Sequence, residues 1–310
     1  MTWSETRLHR WLASRARPRV LEGSLGHDAA VLRVAGWRVV VCVDQTIEGV
    51  HFDAATPAPR VGRKAAARAL SDLAATAAQP RAILIALSAP KACGEAWIRA
   101  AIRGAQELAR HFDSALVGGD LACAPGPRAL VVTALGTLAG RRRAPGRDRA
   151  RPGQVLVATG AFGGSRRARH LALEPRLDAG RWLFEQGATA LMDVSDGLAL
   201  DLSRIAEASG VRIDLLDVPI HPDARRAARL SGRSARDHAL SDGEDHELVA
   251  TLPAATWKRL ARAAARREPV IRAIGRVRSG RGLWILPEEG AGQAPLRWSG
   301  RGGFRHGEPA

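Results

Sequence analysis

Residues 192–202 read MDVSDGLALDL, and two of the three aspartates in this mostly apolar stretch are Asp193 and Asp196. Aspartate is seldom buried without a partner, because an ionised carboxylate in apolar surroundings needs a cation or several hydrogen-bond donors. Four other stretches set an aspartate among apolar residues in the same way. They are GHDAA (26–30), VDQ (43–45), LSDL (70–73) and GGD (118–120), which contain Asp28, Asp44, Asp72 and Asp120. We expect these aspartates to lie where strands or turns meet helices.

Each aspartate taken alone has an ordinary interpretation as a helix cap or a turn residue. Asp72 is the exception because it falls inside a predicted helix. For Asp72 the alternative is an ion-pair ladder with Arg68 and Lys64, four and eight residues earlier. Six such aspartates in five stretches favour a metal site over separate caps. Mg²⁺ prefers carboxylate oxygens and shares its coordination with substrate phosphates, so it is the predicted ion.

Common signatures of phosphate handling and hydrolysis are missing from the sequence. The chain has no GxxxxGK[ST] loop and no protein-kinase signature set, and its histidines lack metal-ligand spacing. Ser195 stands in a DVSDG turn and not in the GxSxG elbow of a serine hydrolase. A nucleotide-using enzyme with this sequence must therefore hold phosphates by another device.

The composition is that of a globular protein with an unusual charge. The chain has 310 residues, of which 46% are hydrophobic and 25% charged, enough for two domains. A net charge of +16 makes nucleic-acid binding an alternative to be weighed. However, lysine occurs only at positions 64, 91 and 258, and the arginines are scattered among Ala and Gly rather than among aromatics. This distribution favours a chain-wide arginine bias that steers anionic substrates.

Cysteine usage and hydrophobic runs indicate a cytoplasmic protein. Cys42, Cys93 and Cys123 are odd in number and lack disulfide or zinc spacing, which favours a reducing compartment. No apolar run approaches the roughly 18 residues of a membrane span. Near the start, Leu8, Trp11 and Leu12 predict the buried stripe of an opening helix capped by Ser4.

Strand-like and helix-like segments alternate along the chain. Strands are predicted at 38–43, 81–88, 115–117, 128–138 and 154–159, and a closing pair of strands across 270–285. Helices are predicted at 62–78 and 95–111, the second with Trp97, Ile98, Ile102 and Leu108 as its apolar side. Residues 141–153 (RRRAPGRDRARPG) combine Pro, Gly and charge without periodicity. They predict a boundary between domains 1–140 and 141–310.

These stretches together resemble the thiamine-monophosphate kinase family, of the superfamily that includes aminoimidazole ribonucleotide synthetase. The resemblance extends from about residue 20 to about residue 305. It rests on GHDAAVL, VDQTIEGVHF, LSDLAATAA, VGGDL, ARPGQVLVATG, MDVSDGLALDL and LSDGEDHEL, which occur in the family's order. The segments EGVHF and GEDxEL favour this kinase over its relatives.

The resemblance implies an α+β / α/β fold with two domains of the aminoimidazole ribonucleotide synthetase type. The N-terminal α+β domain would form a homodimer with its copy, and the C-terminal α/β domain would complete a cleft for ATP and Mg²⁺. The implied metal ligands are Asp28, Asp44, Asp72, Asp120, Asp193 and Asp196. The implied ATP contacts are Gly119, Asp120, Arg147 and Ser195, with Asp120 and Arg147 as the catalytic candidates. The implied contacts to thiamine monophosphate are His51, Glu244 and Phe304.

The chain departs from the family's pattern at several of these positions. His27 stands where the family has a first aspartate, Cys42 and Val43 replace a Ser/Thr pair, and Gln45 replaces a threonine. These changes predict fewer side-chain ligands for a metal ion around Asp28 and Asp44. Simpler roles are also open at three positions: an exposed linker arginine for Arg147, strand-end packing for His51 and core covering for Phe304.

The implied reaction explains why no catalytic base is recognisable. A phosphate monoester has a second pKa of about 6, so the acceptor is already anionic near neutral pH. The main task is then to position two anions and neutralise their charge. Two alternatives stay open: another ATP-using enzyme of the superfamily, or an arginine-rich nucleic-acid-binding protein on the same scaffold. A selenophosphate synthetase is disfavoured because no cysteine precedes Gly26.

Overall fold

Two β-sheets, one from each half of the chain, organise the computed structural model, which describes residues 7–8, 11–12, 21–22, 26–167, 169–287, 294–300 and 302–304. The N-terminal sheet has the strand order β1-β2-β5-β3-β4. Its strands are β1 (Ala30–Val34), β2 (Trp37–Ile47), β3 (Gln79–Ala89), β4 (Ala115–Cys123) and β5 (Ala129–Thr137). β3 and β4 pair in parallel, and the other neighbours pair antiparallel. The predicted strands are confirmed, and most are longer than expected.

Two helices, α1 (Ala58–Ala75) and α2 (Glu95–His111), cover the inner face of this sheet. Burial alternates along β5, where Leu130, Val132 and Ala134 face the helices and are fully buried. The outer face stays partly exposed although it carries apolar residues such as Val131 and Leu135. The sheet therefore presents one sealed face and one apolar face in partial contact with solvent.

Small residues allow α1 and α2 to approach closely. A Cβ atom on Gly62 would lie 1.7 Å from the carbonyl oxygen of Ala101, and one on Gly104 would lie 2.0 Å from that of Pro59. The predicted bounds of α2 are confirmed, but its predicted apolar side is wrong in part. Leu108 is buried, whereas Trp97, Ile98 and Ile102 are only partly buried because small residues occupy the contact line.

The C-terminal sheet has the order β12-β11-β8-β10-β6-β9-β7. Its strands are β6 (Gln154–Thr159), β7 (Leu191–Asp193), β8 (Arg212–Leu215), β9 (Leu248–Pro253), β10 (Ile271–Arg278), β11 (Gly282–Ile285) and β12 (Leu296–Arg297). Its helices are α3 (Leu177–Glu185), α4 (Leu198–Ser209), α5 (Pro222–Ser231), α6 (Ala235–Ser241) and α7 (Ala254–Ala264). The expected closing pair of strands is wrong in its pairing: β8 lies between β10 and β11, antiparallel to the first and parallel to the second.

Helix α3 belongs to the C-terminal half but packs against α1. A Cβ atom on Gly180 would lie 2.2 Å from the carbonyl oxygen of Ala74, which shows how close the two helices come. α1 also contacts β7. Between the two sheets, residues 141–153 are packed as well: the Arg142 guanidinium donates to the carbonyl oxygens of Phe184 and Ala188. The two halves are thus joined through α1, and they enclose a cleft beside it.

The apolar residues near the N-terminus are more exposed than expected. Residues 7–8 and 11–12 are helical, but Leu8, Trp11 and Leu12 are 43%, 52% and 53% exposed, so the predicted buried stripe is wrong. The proposed cap, Ser4, lies outside the described residues. Among the helices described, none combines the length and the apolar character needed to cross a bilayer.

Candidate active site

Three aspartates from distant parts of the sequence meet where the two halves join. Asp72 lies on α1, Asp193 ends β7, and Asp28 lies in the bend before β1. One carboxylate oxygen of each lies within 4.8 Å of the other two. The side chain of Asp28 is only 4% exposed, and Asp193 is buried. Three carboxylates at this spacing, each at least partly buried, are a donor set of the kind that hard cations prefer.

The three carboxylates experience different electrostatic surroundings. Burial raises the pKa of Asp28, and the charge of Asp193 adds to this effect while the Arg147 guanidinium opposes it. Burial and the neighbouring carboxylates raise the pKa of Asp72 well above its usual range. Burial also acts to raise the pKa of Asp193, but hydrogen bonds from His246 and Ser71 hold it below its usual value. Like charges at this distance repel, so a bound cation would stabilise the cluster.

Asp44 lies within β2 and not at a strand end as expected. Its Oδ1 accepts a hydrogen bond of 2.9 Å from Nη2 of Arg68, and Nη1 of Arg68 donates to Oε1 of Glu244 at 3.2 Å. Arg68 therefore connects a predicted metal ligand with a predicted substrate contact. The ion pairs of Arg68 and Lys64 are made with Asp44 and Glu244, so they do not form the ladder considered for Asp72.

Glu244 is held by a cationic cluster at the base of the cleft. Its Oε2 lies 2.9 Å from Nζ of Lys64, whose side chain is fully buried and also donates to the carbonyl oxygen of His51 at 2.6 Å. Burial acts to raise the pKa of Glu244, but His246, Arg68 and Lys64 hold it well below its usual range. The carboxylate of Glu244 is therefore ionised at neutral pH.

The stretches MDVSDGLALDL and LSDGEDHEL are joined by backbone hydrogen bonds. The N–H of Glu244 donates to the carbonyl oxygen of Ser195 at 2.7 Å, and that of His246 donates to the carbonyl oxygen of Val194 at 2.8 Å. Glu244 and His246 have φ angles of 59° and 49°, in the left-handed region that non-glycine residues rarely adopt. A Cβ atom on Gly243 would lie 2.6 Å from the Ser195 carbonyl oxygen, so glycine is required there.

The acidic residues that alternate with Glu244 and His246 point into the C-terminal half. Asp245 accepts hydrogen bonds from the N–H of Gly163 and from Arg169, and Glu247 pairs with Arg176. Burial raises the pKa of Asp245 to about 7, although Arg169 opposes the shift. One short segment thus supplies a cleft residue, Glu244, a buried histidine, His246, and two structural residues.

Asp196 forms a separate cluster beside the cleft. Arg204 Nη1 lies 2.5 Å from Oδ2 of Asp196 and 2.7 Å from Oδ1 of Asp201. Asp201 is fully buried, which raises its pKa to about 7. Asp196 lines the cleft, yet it is not part of the group formed by Asp28, Asp72 and Asp193.

Arg147 is not an exposed linker residue. Its Nη2 donates to Oδ1 of Asp28 at 2.6 Å, and its backbone N–H donates to Nδ1 of His27 at 3.0 Å. Burial lowers the pKa of His27, which leaves Nδ1 able to accept this bond at neutral pH. The histidine that replaces an aspartate of the family's pattern therefore contacts the segment that presents Arg147.

A cleft opens beside these clusters. Residues expected to contact substrate or ATP line it together: His51, Ser195, Glu244 and Phe304. Nδ1 of His51 accepts a hydrogen bond of 3.0 Å from the N–H of Ile47, and burial lowers the pKa of His51 to about 4. The neutral ring consequently carries its hydrogen on Nε2. The Arg166 guanidinium lies 5.5 Å from the centre of the Phe304 ring.

Asp120 lies apart from the other predicted ligands within one chain. It is inside the edge strand β4, where Gly119 also lies and where a Cβ atom on Gly119 would fall 1.9 Å from the Ile85 carbonyl oxygen. Asp120 pairs with Ala86, which lies in the same row of the sheet as Val131 and Gln45 on the outer face. Asp44 is three strands away, roughly 14 Å, on the inner face. A single chain therefore does not bring Asp120 to the three-carboxylate cluster.

Several residues of the site were not predicted from the sequence to belong to it. Arg68, Arg166, Arg204 and His246 lie in or beside the site. Arg68 and His246 stand within the stretches LSDLAATAA and LSDGEDHEL or next to them, and this proximity was the available signal. Arg204 stands two residues after the stretch MDVSDGLALDL, whereas Arg166 had no such signal because arginine is spread along the whole chain.

Comparisons with known proteins bear directly on this arrangement. Residues 26–138 match the family model of the AIR synthase related protein, N-terminal domain, and residues 151–285 match that of the C-terminal domain. A thiamine-monophosphate kinase from Rhodopirellula baltica is 37% identical over 76% of this chain and 77% of its own length. One from Mycobacterium tuberculosis is 34% identical over 97% of this chain and 91% of its own length. The chain belongs to the thiamine-monophosphate kinase family.

Solved structures agree with this assignment. The thiamine-monophosphate kinase from Stenotrophomonas maltophilia is 35% identical, with a TM-score of 0.74 over 93% of this chain and 98% of its own. A structure of AaThiL complexed with AMPPCP and TMP has a TM-score of 0.82 over 98% of this chain and 97% of its own. At 24% identity this second likeness concerns the fold. The family and fold expected from the sequence are confirmed.

Proposed function

We propose that this chain phosphorylates thiamine monophosphate with ATP, by direct in-line transfer without a protein nucleophile. The observation that carries the proposal is the carboxylate cluster of Asp28, Asp72 and Asp193 beside a cleft lined by His51, Glu244 and Phe304. Phosphoryl transfer depends mainly on positioning and charge neutralisation, and this arrangement offers both. The relatives named thiamine-monophosphate kinase support the same activity.

Mg²⁺ is the proposed ion, held by Asp28, Asp72 and Asp193 with Asp44 and Asp196 nearby. The donor set fits it, because three closely spaced carboxylates offer hard oxygen ligands and repel one another without a cation. When bound, Mg²⁺ would neutralise the charge of the phosphates. Arg147 lies next to this group and would offer its planar guanidinium to ATP phosphate oxygens.

The cleft residues would orient thiamine monophosphate. The ionised carboxylate of Glu244 would face the positively charged thiazolium ring, and the Phe304 ring would stack on the organic part of the substrate. Nε2–H of His51 would donate to a phosphate oxygen. The substrate phosphate needs no general base, since it is already anionic at neutral pH.

We also propose a homodimer formed through the outer face of the N-terminal sheet. Alternate residues on this face are apolar and partly exposed: Val41, Val43, Leu84, Val131 and Leu135. Asp120 lies on the same face, so it would complete a site only across such an interface. A cytoplasmic location stays a prediction, and the three unpaired cysteines among the described residues are consistent with it.

An assay of purified protein with ATP, Mg²⁺ and thiamine monophosphate tests the activity directly. Formation of ADP and thiamine diphosphate is expected, and no product at saturating substrate would contradict the proposal. Asp193→Asn and Asp72→Asn should each lower kcat by at least about 100-fold, because each removes a charge from the cluster. Asp178→Asn, at a largely exposed position on α3, is the matched control and should retain full activity.

A further inference from the structure

His246 is a buried imidazole to which the proposed phosphoryl transfer gives no task. It is 2% exposed and stands between two residues that do have tasks, Asp193 and Glu244. Its Nδ1 lies 2.9 Å from Oδ2 of Asp193, and its Nε2 lies 3.9 Å from Oε2 of Glu244. A buried polar ring is costly unless its nitrogens are partnered, so this placement calls for an explanation.

The contact with Asp193 has a defined direction. A carboxylate accepts hydrogen bonds, so Nδ1 of His246 must carry the hydrogen and donate. The hydroxyl of Ser71 donates to the same oxygen, Oδ2, at 2.7 Å. Two donors on Oδ2 set the plane of the carboxylate and leave Oδ1 as the oxygen for a cation.

The backbone places the ring firmly. The N–H of His246 donates to the carbonyl oxygen of Val194, the residue that follows Asp193, and the φ angle of His246 is 49°. A residue held in this sparsely populated conformation is determined by its surroundings rather than by local preference. The ring and the carboxylate are therefore fixed relative to each other by the backbone as well as by the side-chain bond.

We propose that His246 is a positioning residue: its Nδ1–H orients Asp193 so that Oδ1 faces Asp28 and Asp72, while its other edge packs beside Glu244. The proposal rests on the proposed function, since it assigns Asp193 to metal binding and Glu244 to substrate binding. Partners that orient a metal ligand typically change metal affinity about 10–100-fold when removed. His246 thereby connects the metal cluster to the substrate end of the site.

Three variants test the hydrogen bond from the ring to Asp193. His246→Asn places an amide N–H near the position of Nδ1 and keeps the bond to Asp193. His246→Gln places it near Nε2 and loses that bond, and His246→Phe keeps the volume but removes the Nδ1–H donor. His221→Asn, at the cap of α5, is the matched control. Calorimetric titration with Mn²⁺ alone measures the effect on the cluster without any substrate.

The Gln and Phe variants should raise the Mn²⁺ dissociation constant about 10–100-fold, whereas the Asn variant and the control should stay near the wild-type value. In the kinase assay, Phe should lower kcat because Asp193 loses the donor that orients it. Equal Mn²⁺ affinity in the Asn and Gln variants would overturn the proposal, as would wild-type protein that binds no Mn²⁺. If Phe does not fold, the Asn–Gln contrast still decides.

Failure of the proposed function gives a different result. Wild-type protein that binds Mn²⁺, shows the Asn–Gln contrast and yet does not phosphorylate thiamine monophosphate would contradict the substrate and leave the role of His246 intact. Active wild-type protein without the contrast would contradict the role of His246 alone.

Discussion

At the scale of single residues, Glu244 has the densest set of charged contacts in the cleft. Its carboxylate lies 2.9 Å from Lys64 and 3.2 Å from Arg68, and the Lys64 side chain is fully buried. An uncompensated buried charge is strongly destabilising, so the glutamate stabilises the fold as well as the proposed complex. Position 244 therefore combines a structural and a binding task.

Glu244→Gln should affect both tasks, and they can be measured separately. The loss of negative charge leaves the Lys64 ammonium group without its carboxylate and should lower the free energy of unfolding by about 3 kcal/mol. It should also raise KM for thiamine monophosphate more than it lowers kcat, because the thiazolium loses its counter-charge. Denaturant unfolding and steady-state kinetics measure the two effects. Glu174→Gln, in a half-exposed pair with Arg63, is the control, and an unchanged KM at position 244 would contradict the assignment.

His170 gives a pH-dependent prediction. Its Nδ1 lies 2.7 Å from Nζ of Lys64, and burial together with the Lys64 charge lowers the pKa of His170 to about 4. Between pH 6.5 and 4 the unfolded chain binds a proton here that the folded chain does not, so stability falls as the pH falls through this window.

His170→Asn removes this linkage. The drop in Tm between pH 7 and pH 4.5 should be smaller in the variant than in the wild type, as measured by thermal unfolding across that range. Other groups that titrate in the window, such as Asp201 and Asp245 with their raised pKa values, are common to both proteins and cancel in the comparison. Parallel curves for the two proteins would mean that His170 is protonated in the folded state.

At the scale of elements, the contact between α1 and α2 depends on glycine. Gly104→Ala would place a Cβ atom 2.0 Å from the Pro59 carbonyl oxygen, and backbone must move to relieve the clash. Overpacking of this kind costs about 1–3 kcal/mol, which exceeds the helix-propensity gain of about 1 kcal/mol. Gly104→Ala should therefore lower Tm, whereas Arg103→Ala, at the exposed neighbouring position, should leave it unchanged. A stabilised Gly104→Ala protein would show that the helices are not in contact there.

The same helices show what can be predicted from sequence and what cannot. Periodicity located α2 from 95 to 111, since helix formation is a local property. Periodicity predicted that Trp97, Ile98 and Ile102 form the buried side, since large apolar residues bury the most surface area. The partner helix instead approaches along Ala101, Gly104 and Ala105. The buried side depends on α1, which no local pattern describes. Likewise β10 and β11 were located, but the insertion of β8 between them is a long-range pairing.

Elements also decide which predicted site residues meet. Asp28, Asp72 and Asp193 were recognisable because each sits in an apolar stretch, and the contact of α1 with β7 brings two of them together. Arg68, Arg204 and His246, which hold carboxylates of the site, were not predicted as site residues although they stand in or close to recognised stretches. Two of their hydrogen bonds join residues that lie more than 20 positions apart in the sequence, Arg68 with Asp44 and His246 with Asp193.

At the scale of the whole molecule, the position of Asp120 relates the site to assembly. Five predicted ligands lie at or near the cleft of one chain, while Asp120 faces outward from β4 on a partly exposed apolar surface. A monomer would leave this apolar face in water, and closing it against a second copy would bury it. The proposed dimer therefore accounts for two observations, the uncovered face and the remote aspartate.

Leu135→Asp tests this assembly. Leu135 lies on the outer face of β5, away from the cleft, and pairs with Val41 and Ala82. A buried unpaired charge at the interface should convert the dimer to a monomer, as measured by light scattering coupled to size exclusion, and should reduce kcat because Asp120 no longer reaches a site. Leu230→Asp, at a 71% exposed position on α5, adds the same charge elsewhere and should change neither property. A Leu135→Asp monomer with full activity would show that each chain completes its own site without Asp120 from a second copy.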